Sequence, residues 1–190
     1  MSGLSAMLRN HMKEKLARDE VVASITVRSS RTIEIARIAQ TAGFDTLYVD
    51  MEHNTLSIDA GCQICQAAQQ IGITPLARVP ANTPEYICRV LDGGAMGVIT
   101  PHVRSATEAK EMVGLVKLLP IGHRSAGGAH YRSFPMVETQ AAMNDATSLV
   151  LMMETKDPLE NVEEIIAVEG VDMLYQRPEN LTPGMPSESI

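Results

Sequence analysis

One phrase recurs along this chain: a stretch of helical periodicity, a glycine, then a short apolar and β-branched run. It appears as "ARIAQTAGFDTLYVD", with Gly43 before residues 46–50, and as "ICQAAQQIGITPLARV", with Gly72 before residues 74–79. It returns in "ICRVLDGGAMGVIT", with Gly93 and Gly94 before 96–100, and in "EEIIAVEGVDMLYQ", with Gly170 before 171–175. Glycine just past a helix end is the expected left-handed cap, and entry into a strand follows it. With "VVASITV" (21–27) and "SLVLMM" (148–153), six strands are predicted. They are continuous apolar runs, so both faces are buried, as in a parallel sheet. Repeated βα units leave two architectures, a doubly wound open sheet or a (β/α)-barrel. No Gly-x-Gly-x-x-Gly follows the first strand and no P-loop lysine motif occurs, so a barrel is expected.

Composition narrows the partners. The 190 residues are 45% hydrophobic and 21% charged, which fits one globular domain with a core of its own. With two Phe, four Tyr and no Trp, that core is aliphatic, and twelve Met fill its gaps. A formal charge of −7 argues against a nucleic-acid or anionic-membrane surface, which needs a basic patch. No apolar run reaches membrane-spanning length, and the first twenty residues read as a polar amphipathic helix without a secretory h-region. Three cysteines without framework spacing fit reduced thiols in the cytoplasm. Cys62 and Cys65 form a C-x-x-C inside a helical stretch, without the further ligands that zinc requires, and read as small packed residues.

In a parallel barrel the C-terminal strand ends share one mouth, where catalysis is built. Those ends carry Asp50, Glu52 and His53, then Arg78, His102 and Glu154, and finally "QRPEN" (176–180). Side chains alternate along a strand, so Asp50 and Glu52 share a face and His53 takes the other unless the strand has by then turned into a loop. Each residue also has a plainer reading: Arg78 as a solvated strand-end charge, Glu154 as a helix-start carboxylate, His53 and His102 as hydrogen-bonded structural histidines. His123 and His130 lie in "LPIGHRSAGGAHYRSFP" (119–135), a Gly-rich interval of the length that usually serves function. The set supports metal-assisted enolate chemistry. Glu154 offers an oxygen ligand to a hard cation, which would polarise a 2-keto group. Arg78 could neutralise the enolate or clasp a carboxylate. His53, oriented by Asp50 or by Asp92, could shuttle the proton. Lys110, Lys117 and Lys156 fall in helical or turn contexts, so a Schiff-base mechanism is disfavoured.

The stretches "YVDMEHN", "PLARVP", "VLDGGAMGVITPHV", "PIGHRS" and "METKDPLENVEEIIAVEGVDML" resemble, in order, the HpcH/HpaI aldolase family of metal-dependent class II pyruvate aldolases. The resemblance covers about residues 20–180. It implies a (β/α)8 TIM-type barrel of the phosphoenolpyruvate/pyruvate superfamily, assembled as a homo-oligomer. It also implies a carbon–carbon lyase, aldolase or decarboxylase, acting on a 2-keto acid such as a pyruvate-derived aldol or oxaloacetate. An aldehyde is the co-substrate, and Mg2+, Mn2+ or Co2+ the cofactor. Carried over by motif, His53 is the acid/base with Asp50 beside it, Asp92 the histidine's partner, Arg78 the enolate-binding arginine and Glu154 a metal ligand. The second metal ligand falls on Asn180 in "RPENL" (177–181), where the family has aspartate; Glu179 is a possible substitute. Arg177 replaces the motif's glycine, and Met152 a glutamine.

A closed barrel of this type has eight strands and about 250 residues. Six strands are predicted here, so residues 1–181 are expected to form one barrel domain lacking its last two βα units. Residues 182–190 are then an unstructured tail. A second reading follows from those departures: a catalytically inactive relative acting as an interaction or regulatory subunit. The acyl-CoA lyase branch of the superfamily is a third, and the acidic balance disfavours it.

Overall fold

The computed structural model describes residues 4, 8–127, 135–154 and 160–176. A short helix α1 (His11–Leu16) precedes β1 (Ser24–Val27), α2 (Glu34–Thr41), β2 (Thr46–Asp50), α3 (Ile58–Gln70) and β3 (Thr74–Arg78). Then come α4 (Pro84–Asp92), β4 (Gly97–Thr100), α5 (Ala106–Val116), α6 (Met136–Ala146), β5 (Ser148–Met153), α7 (Val162–Ile166) and β6 (Met173–Gln176). The six predicted strands are all present, with ends shifted by at most three residues. Local chemistry starts and stops the helices. Ser57 and Ser105 cap α3 and α5 by accepting from the backbone N–H groups of Ala60 and Glu108. Gly43, Gly72, Gly94 and Gly170 end helical turns with φ between 83° and 101°, where a Cβ would be strained.

All strand pairs are parallel, and the sheet order is the sequence order, β1 to β6. A doubly wound sheet reverses its order at a switch point. This one never does. It also curls. Tyr48 on β2 and Tyr175 on β6 are four strands apart in the sheet, about 19 Å if it were flat. Their rings meet edge to face with centroids 6.0 Å apart, so the inner faces of the two strands turn toward each other. The fold is a curled six-stranded parallel sheet backed by helices, a half-barrel among the described residues.

The two faces differ in content. Outward positions Leu47, Val49, Ala77, Val79, Val98, Leu149 and Leu151 join the main core under the helices. Inward positions form a smaller cluster of Tyr48, Leu76, Ile99, Val150 and Met152, closed at one end by Met12 of α1. Asn10 fixes that helix by donating to the carbonyl of Ala146, and Thr74 Oγ1 accepts from the backbone N–H of Met12. These contacts lie at the N-terminal edge of the strands. Lys117 is buried at the same edge, donating to the carbonyls of Asn144 and Thr147 and to Asp172 Oδ2. Burial lowers its pKa although Asp172 opposes the shift. A buried lysine spent on strand-edge carbonyls is structural.

Candidate active site

The inward face of the sheet becomes ionic at its C-terminal edge. Thr46, Tyr48, Asp50 and then Glu52 follow one another on the inner side of β2, and Thr74, Leu76 and Arg78 do so on β3. Asp50 and Arg78 are register partners. The guanidinium makes a fork, Nε to Oδ1 at 2.9 Å and Nη2 to Oδ2 at 2.7 Å, and neither side chain is exposed. Burial alone would raise the Asp50 pKa, but the bonds from Arg78 and Arg28 hold it down at about 2. Burial works against the Arg78 charge as well, and Asp50 outweighs it, so that pKa is raised. The Tyr48 ring lies 5.6 Å below the guanidinium carbon, adding a cation–π contact.

From this pair a chain of contacts crosses the mouth. Arg78 Nη1 lies 2.6 Å from Glu52 Oε2 and 3.6 Å from Met152 Sδ. Glu52 Oε1 is 3.1 Å from His102 Nε2, and His102 Nδ1 is 2.7 Å from Glu154 Oε2. His102 thus bridges two largely buried carboxylates, one from the end of β2 and one from the end of β5. Its backbone is left-handed, with φ 58°, a conformation that a non-glycine residue adopts at a cost. Such strain persists only where surrounding contacts over-determine it, and both ring nitrogens are engaged here. Leaving His102 aside, Asp50, Glu52 and Glu154 set three carboxylates against the guanidiniums of Arg78 and Arg28.

β2 ends at Asp50 and the chain bends over residues 52–54, so strand alternation does not govern His53. Its side chain is 47% exposed on the rim, with Nε2 3.7 Å from Glu52 Oε2. The expectation that Asp50 orients its ring is corrected: the Asp50 carboxylate is taken by arginines, and Oδ1 reaches only the backbone N–H of His53, at 3.4 Å. The expectation for Asp92 is corrected too. Asp92 ends α4 just ahead of β4, so it sits at the opposite edge of the sheet, 3.1 Å from Arg124 Nη1. The described part of the Gly-rich interval lies at that far edge as well. His123 packs on Gly114, and Arg124 Nε donates to the carbonyl of Val116. His130, Lys156, Asn180, Glu179 and the tail 182–190 lie outside the described residues.

Three contributors were under-read in the sequence. The sequence offers Glu52 at the strand end without a role, although its i+2 spacing from Asp50 points it to the same face. His102 carries no local signal of its left-handed backbone. Arg28 follows the last residue of β1, and its Nε donates to Asp50 Oδ2 at 2.8 Å.

The family profile described as HpcH/HpaI aldolase/citrate lyase matches residues 27–187. The chain belongs to the HpcH/HpaI aldolase/citrate lyase family. It is 36% identical over 171 residues to the 4-hydroxy-4-methyl-2-oxoglutarate aldolase tasA of Hapsidospora irregularis, an alignment of 87% of this chain and 63% of that protein. It is 32% identical over 185 residues to the 2-keto-3-deoxy-L-rhamnonate aldolase of Escherichia coli K12, covering 96% of this chain and 69% of that one. The crystal structure of an HpcH/HpaI aldolase from Desulfitobacterium hafniense DCB-2 superposes with a TM-score of 0.86 at 29% identity, over 91% of this chain and 68% of that chain. The chain therefore spans about two thirds of the length of these relatives.

Among the described residues, no three His, Cys, Asp or Glu side chains converge on one point as a ready metal cage. The HpcH/HpaI mouth nevertheless fits a hard cation. Glu154 is a largely buried carboxylate at a strand end, and the cluster carries one more carboxylate than guanidinium. Magnesium-like ions take one or two protein carboxylates and leave their remaining positions to water and substrate.

Proposed function

We propose that this chain is a metal-dependent carbon–carbon lyase, an aldolase or decarboxylase, that works on a 2-keto acid through its enolate. The observation that carries the reading is the continuous ionic chain Asp50–Arg78–Glu52–His102–Glu154, drawn from four strand ends to one mouth. The aldolase names of the relatives support the reaction class. All of those relatives are named as enzymes, which gives no support to the reading as an inactive subunit. The half-barrel is in this reading part of a (β/α)8 architecture, and the protein is expected to act as a homo-oligomer.

Glu154 would hold the divalent cation, with Asn180 or Glu179 as the second ligand expected from the sequence, and the bound ion would polarise the 2-keto oxygen. Arg78 brings a positive charge that Asp50 locks in place, so the charge is preorganised and not assembled during turnover. Its Nη1 faces Glu52, and a bound carboxylate or enolate oxygen competes with Glu52 for that donor. His53, on the rim and half exposed, moves the proton at the carbon next to the keto group. The aliphatic walls beneath, Leu76, Ile99 and Val150, keep water from the inner side of the sheet.

Exchange of the pyruvate methyl protons in D2O, followed by proton NMR, tests enolate formation without knowledge of the aldehyde. Exchange that needs Mn2+ or Mg2+, stops with a chelator and falls about a hundredfold or more in His53→Ala is expected. A folded, metal-supplied sample that shows no exchange rejects the lyase.

A further inference from the structure

His102 is pinned from both sides and at both ends of its ring. It follows Pro101 at the end of β4 and carries the left-handed backbone, φ 58°. On its N-terminal side, Asn82 Nδ2 in the loop after β3 donates to the carbonyl of Pro101 at 2.7 Å. On its C-terminal side, the backbone N–H of Val103 donates to the carbonyl of Met152 on β5 at 3.2 Å. The ring lies between two carboxylates, with Nε2 3.1 Å from Glu52 Oε1 and Nδ1 2.7 Å from Glu154 Oε2.

A turn that had only to leave β4 and enter α5 would be less strained with glycine at this position. Histidine holds the conformation because these contacts over-determine it, and what the conformation achieves is direction. It turns the imidazole across the mouth, toward the carboxylate beside Arg78 and toward the one at the end of β5. Glu52 is itself held by Arg78 Nη1 at 2.6 Å, and Arg78 by its fork with Asp50. Rigidity thus passes from the buried ion pair, through Glu52 and the ring, to Glu154. The backbone adds a parallel brace, because the bond from Val103 ties the turn to β5 just ahead of Glu154.

We propose that His102 is a positioning residue: its ring, braced by Glu52, fixes the Glu154 carboxylate in the orientation that receives the divalent cation. The inference rests on the reading of Glu154 as the cation's ligand. A carboxylate contacted at one oxygen by a ring nitrogen can turn the other toward a metal, and such outer partners govern ligand orientation. Without the brace a glutamate side chain samples several rotamers, and the cost of ordering it falls on cation binding.

The test is the Mn2+ affinity of the full chain, by electron paramagnetic resonance titration, in two variants that separate ring from backbone. His102→Gly removes the ring and relieves the left-handed turn. His102→Asn keeps a residue tolerated in that conformation and sets an amide nitrogen near the place of Nδ1. His102→Gly should weaken Mn2+ binding about tenfold or more, and His102→Asn should stay within about threefold of the parent. Urea midpoints taken with a chelator confirm that both variants fold; a merely structural role would move that midpoint and leave the affinity of the folded protein unchanged. Unchanged affinity in His102→Gly overturns the proposal, as does His102→Asn binding as weakly as His102→Gly. Tighter binding in His102→Gly also overturns it, by making the ring a competitor of the cation. Pyruvate proton exchange on the same samples separates the two readings. Exchange in a parent whose Mn2+ affinity ignores His102 overturns the positioning role alone. The expected affinity pattern without exchange rejects the lyase alone, and a parent that binds no Mn2+ overturns both.

Discussion

Asp50 and Arg78 are register partners on neighbouring strands and close a two-bonded fork inside the protein, with neither side chain reaching solvent. The pair is both foundation and tool. It terminates two strands, and it sets the charge from which the rest of the mouth extends through Glu52 and Arg28.

Removing one partner leaves the other charged and buried. Asp50→Ala should therefore cost about 3 kcal/mol or more, measured by urea unfolding. A loss below about 1 kcal/mol would mean that water reaches Arg78 and the fork is dispensable.

The same pair predicts an acid response. The folded pKa of Asp50, about 2, lies below its ordinary value of 3.8, so its contribution is complete above about pH 4 and is lost as pH falls toward 2. Urea midpoints of the parent and of Asp50→Asn should differ most above pH 4 and converge at the acid end. A difference constant from pH 2 to pH 5 would show that the carboxyl is not the titrating partner.

His102 offers a backbone test. At φ 58° glycine is unstrained and alanine is not. His102→Gly and His102→Ala lose the same ring contacts, so the glycine variant should be the more stable by about 1 kcal/mol. Thermal melts of the two variants decide it, and alanine equal to glycine would place the strain elsewhere.

Glu154 is the one described residue assigned to the cation. Glu154→Ala should weaken Mn2+ binding at least about tenfold by electron paramagnetic resonance titration, with the urea midpoint recorded in parallel. Unchanged Mn2+ affinity in a folded variant would move the metal site away from β5.

Much of this molecule was legible in the sequence because its signals are local. Helix, glycine and apolar run follow from propensity and capping, and the six strands appear where that rhythm put them. Alternation placed Asp50 and Glu52 on one face, and both meet Arg78 there; His53 lies past the strand end in a bend, where alternation no longer holds. Arg78 and Glu154 stand at the mouth as expected because parallel strands deliver all their C-terminal ends to one edge. Asp92 went astray for the same reason. It ends a helix, and in a βα repeat helices end at the opposite edge, where Arg124 meets it.

The sequence by itself determined the elements, their parallel sense and the family. Each of those depends on neighbours within a few residues or on a motif read in order. Tertiary structure decided which charges meet. The Arg78 fork with Asp50, the His102 bridge between Glu52 and Glu154, and the anchoring of Arg28 join residues 22 to 52 positions apart. Such pairings are fixed by strand register and by the curl of the sheet. Neither is encoded at any single position, since both follow from how the whole inner face closes over Tyr48, Leu76, Val150 and Met152.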